Sequence, residues 1–273
     1  MRLRTIIGTL AAGVLALGIS AQAQADQLSD IKAKGKIVAA TEMHFAPFDI
    51  LVDGKYEGIC HDLFTEVAKE LGVEAEFLDL PWQSILPGLE AGKFDFVNAP
   101  VTITAERMER YSFTLPIGNA TVALVKKAGD DTIMKPEDIA GKAAGSQKGS
   151  AQLEQLKAFA AELPEPVDIR EYVNIDEALA DLAAGRIQAV ANSMPLMGYA
   201  AVQRPETFTL VTPPFGDPKY FAWVARKGDD TAALINAINE ALLKMHQDGR
   251  LKAINEKWLG TAPDLPTEMP VVQ

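Results

Sequence analysis

The sequence predicts an α/β protein of two lobes, each a mainly parallel sheet flanked by helices, with two crossings of the chain between them. Three observations carry this. Helical and strand patterns alternate from Lys36 almost to the end of the chain. One nine-residue pattern, Leu89–Val97, returns 93 residues later as Leu182–Val190: a helix end, a glycine, a basic residue and a buried strand. Two breaker-rich segments, Leu115-Pro-Ile-Gly-Asn119 and Pro213-Pro-Phe-Gly-Asp-Pro218, stand where the chain would pass between lobes. A chance recurrence of a common helix-to-strand connection is the alternative account of the echo.

Taken in order, Lys36–Ala40 reads as a short buried strand. Leu63, Phe64, Val67, Ala68 and Leu71 share one helical face, and Gly72 supplies the stop. Val73, Ala75 and Phe77 alternate as a strand does. Trp82, Ile85, Leu86 and Leu89 form the next helical stripe, ended by Gly92, and Phe94–Val97 is a strand. The order then repeats. Ser150 is a good N-cap for a helix carrying Leu153, Leu156 and Phe159. Asp176 is expected to cap the helix of Leu179 and Leu182, which Gly185 stops before a strand at Ile187–Ala191. Beyond the second breaker come a strand, Tyr220–Val224, and a long helix with Leu234, Ile235, Ile238, Leu242 and Met245 on one side. The first lobe is thus discontinuous, 26–117 with 218–273; the second is 118–217, including the hinge segments. Two crossings acting together make a hinge. The proline-rich tail from Thr261 is expected along the surface.

Residues 1–25 read as a leader: Arg2 and Arg4, an apolar run from Ile6 to Ile19, then Ala23-Gln24-Ala25 as a small-x-small cleavage site. Export to the periplasm with cleavage after Ala25 follows. Losing the two arginines would take the formal net charge from −11 to −13, a surface that disfavours nucleic acid and anionic lipid. The single cysteine, Cys60, excludes an intrachain disulfide. His44, His61 and His246 are scattered. With no metal-ligand spacing, no metal and no cofactor are expected.

Three places carry chemistry. Val101-Thr-Ile-Thr-Ala-Glu-Arg107 follows a strand directly, and ligands of open α/β sheets gather beyond the carboxyl ends of strands. Thr104 can cap a short helix with Arg107 at its third position, where the guanidinium fork suits a carboxylate, and Thr102 can add a hydroxyl. A capped helix with a solvent-facing arginine fits the spacing equally. Gly145-Ser-Gln-Lys-Gly-Ser150 opens a helix after a strand, so its free N–H groups favour an anion. It lacks the Gly-Lys-Ser/Thr of a phosphate loop; an ordinary cap explains the segment taken alone. Phe45, in Phe45-Ala-Pro-Phe48, and Trp82, after Pro81, stand at strand-to-helix loops and could sandwich a planar or apolar group. Plain core is the default reading of such rings. There is no Gly-x-Ser-x-Gly elbow and no cysteine–histidine pairing.

A series of short segments then resembles a known family. They are Phe45-Ala-Pro-Phe48, Asp53-Gly-Lys-Tyr-Glu-Gly58, Leu86-Pro-Gly-Leu89 with Ala91-Gly-Lys-Phe-Asp95, Thr102-Ile-Thr-Ala-Glu-Arg107, Tyr111-Ser-Phe-Thr-Leu-Pro116, Ala184-Gly-Arg186, Lys219-Tyr220, and Gln247-Asp-Gly-Arg250 to Lys257-Trp258. Each is weak alone; their order and spacing over the whole mature chain are similar to those of periplasmic solute-binding proteins of polar-amino-acid ABC importers, the histidine-, glutamine- and lysine/arginine/ornithine-binding type. The resemblance implies a two-lobed type II periplasmic-binding fold, a small carboxylate-bearing ligand, and delivery to ABC permease subunits by a protein expected to be monomeric. It places the α-carboxylate grip on Arg107, assisted by Thr102 and the helix start at Ser150. Phe45 and Trp82 become the walls, and Glu42 the acid that meets the polar end of the ligand.

Two departures qualify this. Where such proteins carry an aspartate for the ligand's ammonium, this chain has Ser193, and a desolvated ammonium without a charged partner is costly. Ala99 and Pro100 replace residues that are often small and hydroxylated, and Pro100 has no N–H to donate. The implied ligand is then a modified amino acid, an opine-like conjugate, or a carboxylate whose nitrogen meets Glu42. The alternative is a cyclohexadienyl-dehydratase-like periplasmic enzyme on the same fold, with Glu42 as acid or base.

Overall fold

The computed structural model describes residues 26–271, so the leader expected at 1–25 lies outside the described residues. The first stretch runs α1 (Gln27–Lys34), β1 (Lys36–Thr41), β2 (His44–Phe45), β3 (Asp49–Val52), β4 (Lys55–Glu57), α2 (Ile59–Leu71), β5 (Glu74–Asp79), α3 (Trp82–Glu90), β6 (Phe96–Thr102), α4 (Ala105–Arg110), β7 (Tyr111–Phe113) and β8 (Gly118–Asn119). A second stretch follows: β9 (Val122–Lys127), β10 (Ala143–Gln147), α5 (Ala151–Ala161), β11 (Asp168–Tyr172), α6 (Ile175–Ala183), β12 (Ala189–Ser193), α7 (Met194–Gln203) and β13 (Phe208–Phe215). The chain returns as β14 (Tyr220–Arg226), α8 (Ala232–Asp248) and α9 (Arg250–Leu259).

Two large sheets result. One is ordered β5-β1-β6-β14-β7, with β8 also on β14; the other is β11-β10-β12-β9-β13. Each has a parallel half, β5-β1-β6 and β11-β10-β12. Each also has an antiparallel half, contributed by strands next to the crossings. The sheets are therefore mixed rather than uniformly parallel. The return strand β14 puts the C-terminal part of the chain in the first sheet. Helix α8 then packs on α1 and α2, and Arg250 at the start of α9 pairs with Glu66 and Glu70 of α2.

The sequence echo has a bond-for-bond counterpart. Gly92 and Gly185 take φ of 66° and 75°, a left-handed conformation that glycine adopts without strain. Three residues on, Asp95 donates its N–H to Val38 O at 2.9 Å and accepts from Val38 N at 2.9 Å through Oδ2. Its counterpart Gln188 donates to Ala143 O at 2.8 Å and accepts from Ala143 N at 3.0 Å through Oε1. In both lobes a side chain thus stands in for a ladder bond at the entry to the third strand.

Several local expectations are corrected. The strand expected at Phe94–Val97 begins at Phe96 and runs to Thr102, because β14 goes on pairing with Val101 and Thr102. Its counterpart, expected at Ile187–Ala191, is Ala189–Ser193. The cap of α6 is Asn174, whose side chain accepts from Glu177 N at 3.0 Å, and Asp176 is instead the second helical residue. Pro213 and Pro214 lie within β13, at a register shift between Val211 and Phe215. The crossings themselves are residues 120–121 and 216–219, bonded to each other by Ala120 N to Lys219 O at 2.8 Å. Cys60 is buried, and burial holds its thiol well above the usual range, which makes it inert.

Candidate functional site

The carboxyl ends of β1 and β6 in one lobe meet β10 and the start of α5 in the other. Strand β1 pairs with β6 only at Phe96 and Val97. The β6 edge beyond is therefore free of that ladder, which is what lets a proline stand at position 100. Ala99, Pro100 and Thr102 line a cleft there with Glu42, Phe45, Trp82, Arg107, Gln147, Ser150, Ala151, Gln152 and Phe221. The cleft is nearly filled by its own side chains and leaves about 20 Å³ accessible to water, room for about one water molecule.

Each side chain is placed by its local structure. Thr104 caps α4 by accepting from Arg107 N at 3.2 Å, which turns Arg107 back over the end of β6. The guanidinium donates to Thr102 O at 3.2 Å and Gly149 O at 3.4 Å, and lies 5.5 Å from the Trp82 ring centre. Burial brings its pKa down to about 10, against the opposing fields of Glu106 and Tyr111. It stays charged at neutral pH, yet its acceptors are backbone carbonyls, so an entering anion would relieve its desolvation. Phe45 is held edge-on to Phe221, with ring centres 6.0 Å apart. Its loop is fixed from behind by Ile59 N and Cys60 N, at the start of α2, donating to Pro47 O and Phe48 O at 3.0 and 2.9 Å. That approach needs Gly58: at φ 125°, a Cβ there would lie 2.3 Å from Phe48 O.

The other end of the cleft is acidic. Glu42 is 5% exposed. Its two carboxylate oxygens share one donor, Gln147 Nε2, at 2.9 and 2.7 Å. Burial pushes its carboxyl up to about 7, opposed by the bonds from Gln147 and the Trp82 backbone and reinforced by the fields of Asp79 and Asp176. Behind it the fully buried Asp49, bonded by Tyr56, is likewise raised by burial to about 8.

The bonds that cross the cleft show it closed. Gln147 reaches Glu42, and Gln152 Nε2 donates to Thr102 Oγ1 at 3.1 Å. Trp82 Nε1 donates to Gly149 O at 3.1 Å, and His44 Nδ1 lies 3.5 Å from Asp176 Oδ2 at the rim. Gly149 presents its carbonyl from φ 74°. A neutral bond of this kind contributes about 1 kcal/mol, so the set is comparable with the few kcal/mol that separate two conformers of one protein.

Seven of the eight residues singled out in the sequence line this cleft: Glu42, Phe45, Trp82, Pro100, Thr102, Arg107 and Ser150. Ser150 also caps α5, accepting from Leu153 N at 3.0 Å. Ser193 does not join them, contrary to expectation. It ends β12 fully buried, opposite Val122 at the first crossing, with its N–H on Asn192 Oδ1 and its hydroxyl without a partner among the described residues. Sequence reasoning missed Gln147, Gln152 and Phe221 as lining residues. The two glutamines flank the Ser150 cap, and that position was the one signal that could have found them.

A two-lobed α/β clamp, with a half-buried cation and a buried acid lining one closed interlobe cleft, has the form of a binding protein for small solutes. The chain belongs to the bacterial extracellular solute-binding proteins, family 3, whose model matches residues 37–261. It is similar to the L-cystine-binding protein TcyJ of Escherichia coli K12, 31% identical over 94% of this chain and 95% of that protein. It is also similar to an L-arginine-binding protein of Pseudomonas aeruginosa, 28% identical over 94% and 96%. Among solved structures, an ancestral arginine-binding protein bound to glutamine matches with a TM-score of 0.75 and 35% identity, over 83% of this chain and 98% of that one. An ancestral amino-acid-binding protein described as a precursor of cyclohexadienyl dehydratase matches with 0.77 and 30%, over 85% and 99%. The chain is thus the solute-binding component of an ABC importer, acting outside the cytoplasm.

Proposed function

We propose that the cleft binds one amino acid or amino-acid derivative with a polar, nitrogen-bearing end and presents it, enclosed, to the permease. Arg107, Thr102 and the start of α5 at Ser150 hold the α-carboxylate. Phe45 and Trp82 flank the ligand, and Glu42 meets the far-end nitrogen. The observation that carries this reading is the half-buried Arg107 guanidinium, bonded to carbonyl oxygens, in the same cleft as the buried Glu42. The names of the relatives support the class: they bind arginine, cystine and glutamine. With Ser193 outside the lining, no acid faces an α-ammonium from β12. That favours ligands whose α-nitrogen is substituted or whose decisive nitrogen lies at the far end.

The lobes, 26–117 with 218–273 and 118–217 with its hinge segments, swing about the paired crossings. Ligand that bridges them favours the closed form, which docks on the permease as a monomer. Residues 1–25 direct export and are cleaved off after Ala25, so N-terminal sequencing of the exported protein should begin at Asp26. A thermal-shift panel of amino acids, opines and small carboxylates tests the ligand class, because a ligand bound only by the native state raises the melting temperature. The reading fails if Arg107→Ala keeps the parent's shift with the same ligand. The protein binds without turnover in this reading, so incubation with prephenate or arogenate should yield no aromatic product.

A further inference from the structure

The cleft is not the only space between the lobes. Beside it, where the second crossing enters β14, lies a side pocket with about 550 Å³ accessible to water, a volume in the range of small-molecule sites. Arg107, Arg110 and Lys219 line it from the first lobe, and Gly149, Ala151 and Gln155 from the second. Arg107 and the start of α5 border both spaces. The Lys219 side chain is 16% exposed, and the one carboxylate within reach of its ammonium among the described residues is Asp217, 4.0 Å away and itself 86% exposed. Both amide atoms of Gln155 are buried without a partner among the described residues. They are pressed against the crossing, where a Cβ on Gly216 would lie 2.6 Å from Oε1.

Depth decides the sign of this pocket. Its acids, Glu106, Glu154 and Asp217, are exposed, and solvent screens them. Of its cations, Arg110 is paired with Glu90 at 2.5 Å, which leaves Lys219 and Arg107. The first turn of α5 adds N–H groups that no carbonyl of the helix can take. A half-buried ammonium beside an unpartnered amide carries a desolvation cost that an entering anion offsets. The acids at the rim oppose a second negative charge, so a single carboxylate fits better than a phosphate dianion.

We propose that the side pocket is a second binding site, for a carboxylate, held by Lys219, the Gln155 amide and the start of α5. An occupant there touches both lobes and favours the closed form, as a ligand in the cleft does. Two sources offer the same chemistry: a free small acid, or a carboxylate arm on the captured solute. The first stands whether or not the proposed function does; the second rests on it.

Acetate is the probe for a free acid. It is titrated into the ligand-free protein against chloride at equal ionic strength, and NMR follows the side-chain amides of Gln155 in the pocket and Gln147 in the cleft. Expected is a saturable shift at Gln155, with affinity lowered about tenfold in Lys219→Met and restored in Lys219→Arg. For the arm, calorimetry compares L-arginine with Nα-carboxymethyl-L-arginine, which differ by one added carboxylate. The added group should raise affinity in the parent and not in Lys219→Met, while L-arginine binds both proteins alike. Either effect, lost in Lys219→Met and recovered in Lys219→Arg, supports the site and identifies the source. Neither effect in the parent, or an effect that survives Lys219→Met unchanged, overturns the proposal. If neither arginine compound binds while acetate behaves as expected, the ligand class proposed above fails and the second site stands.

Discussion

The two lobes are built on the same strand–helix–strand plan but contribute different chemistry to the cleft. From the first lobe come both ionised or ionisable lining groups, Arg107 and Glu42, with the rings of Phe45, Trp82 and Phe221. From the second come two amides, a hydroxyl, a methyl group and, through Gly149, a carbonyl. The echo makes the contrast sharper. Pro100 and Ser193 are equivalent positions, 93 residues apart. Yet Pro100 lines the cleft where β6 runs past the end of β1, while Ser193 is buried where β12 ends against β9. The difference teaches a division of labour: the first lobe recognises charge, and the second measures whether the cleft has closed.

The most severe break of that comparison is Arg107→Ala. It removes a desolvated cation and leaves the ligand carboxylate facing carbonyl oxygens. We expect at least about a hundredfold loss of affinity, near 3 kcal/mol, read by calorimetry with whichever ligand the panel identifies. A loss below tenfold would mean that the first lobe does not hold the carboxylate.

Next in size is the pH response of Glu42 in the ligand-free protein. Its carboxyl is raised from 4.5 to about 7 in the folded protein. Its contribution is therefore fully present below the unfolded value and is lost as pH rises through about 7. The melting temperature of the parent should fall across that window relative to Glu42→Gln, by several degrees for about 2 kcal/mol. Equal slopes in the two proteins would remove Glu42 as the charge-sensitive part of the first lobe.

How much of this was legible in the sequence follows the same division. The echo, the cap at Thr104 with Arg107 three residues on, and the Ser150 cap were legible because each is a local pattern with a local cause. The α6 cap was misread because Asn174 and Asp176 are both competent caps two residues apart, and pattern alone does not choose between them. The far end of β6 was misplaced because its length is set by β14, more than a hundred residues away in sequence. Gln147 and Gln152 were missed for the same reason. Their partners, Glu42 and Thr102, lie 105 and 50 residues off and meet them only once the lobes close.

Those missed residues give the sharper test of the second lobe. Gln152 bonds Thr102 across the cleft but carries no charge. Gln152→Ala should weaken binding about tenfold, with the change falling mainly in the dissociation rate, since closure follows encounter. A fall in the association rate instead would show the second lobe taking part in first capture, and the division of labour would have to be redrawn.

The smallest expected effect probes a place where the second lobe does bring a charge to the rim. His44 and Asp176 approach to 3.5 Å with more than half of each side chain exposed, and such pairs contribute less than about 1 kcal/mol. His44→Ala should change affinity by less than about threefold, and about 1 M salt should erase the difference. A larger, salt-resistant effect would mean that the pair is shielded in the closed form. Asp176 would then act with Glu42 as a single acidic end spanning both lobes, and charge recognition would belong to the closed cleft rather than to the first lobe alone.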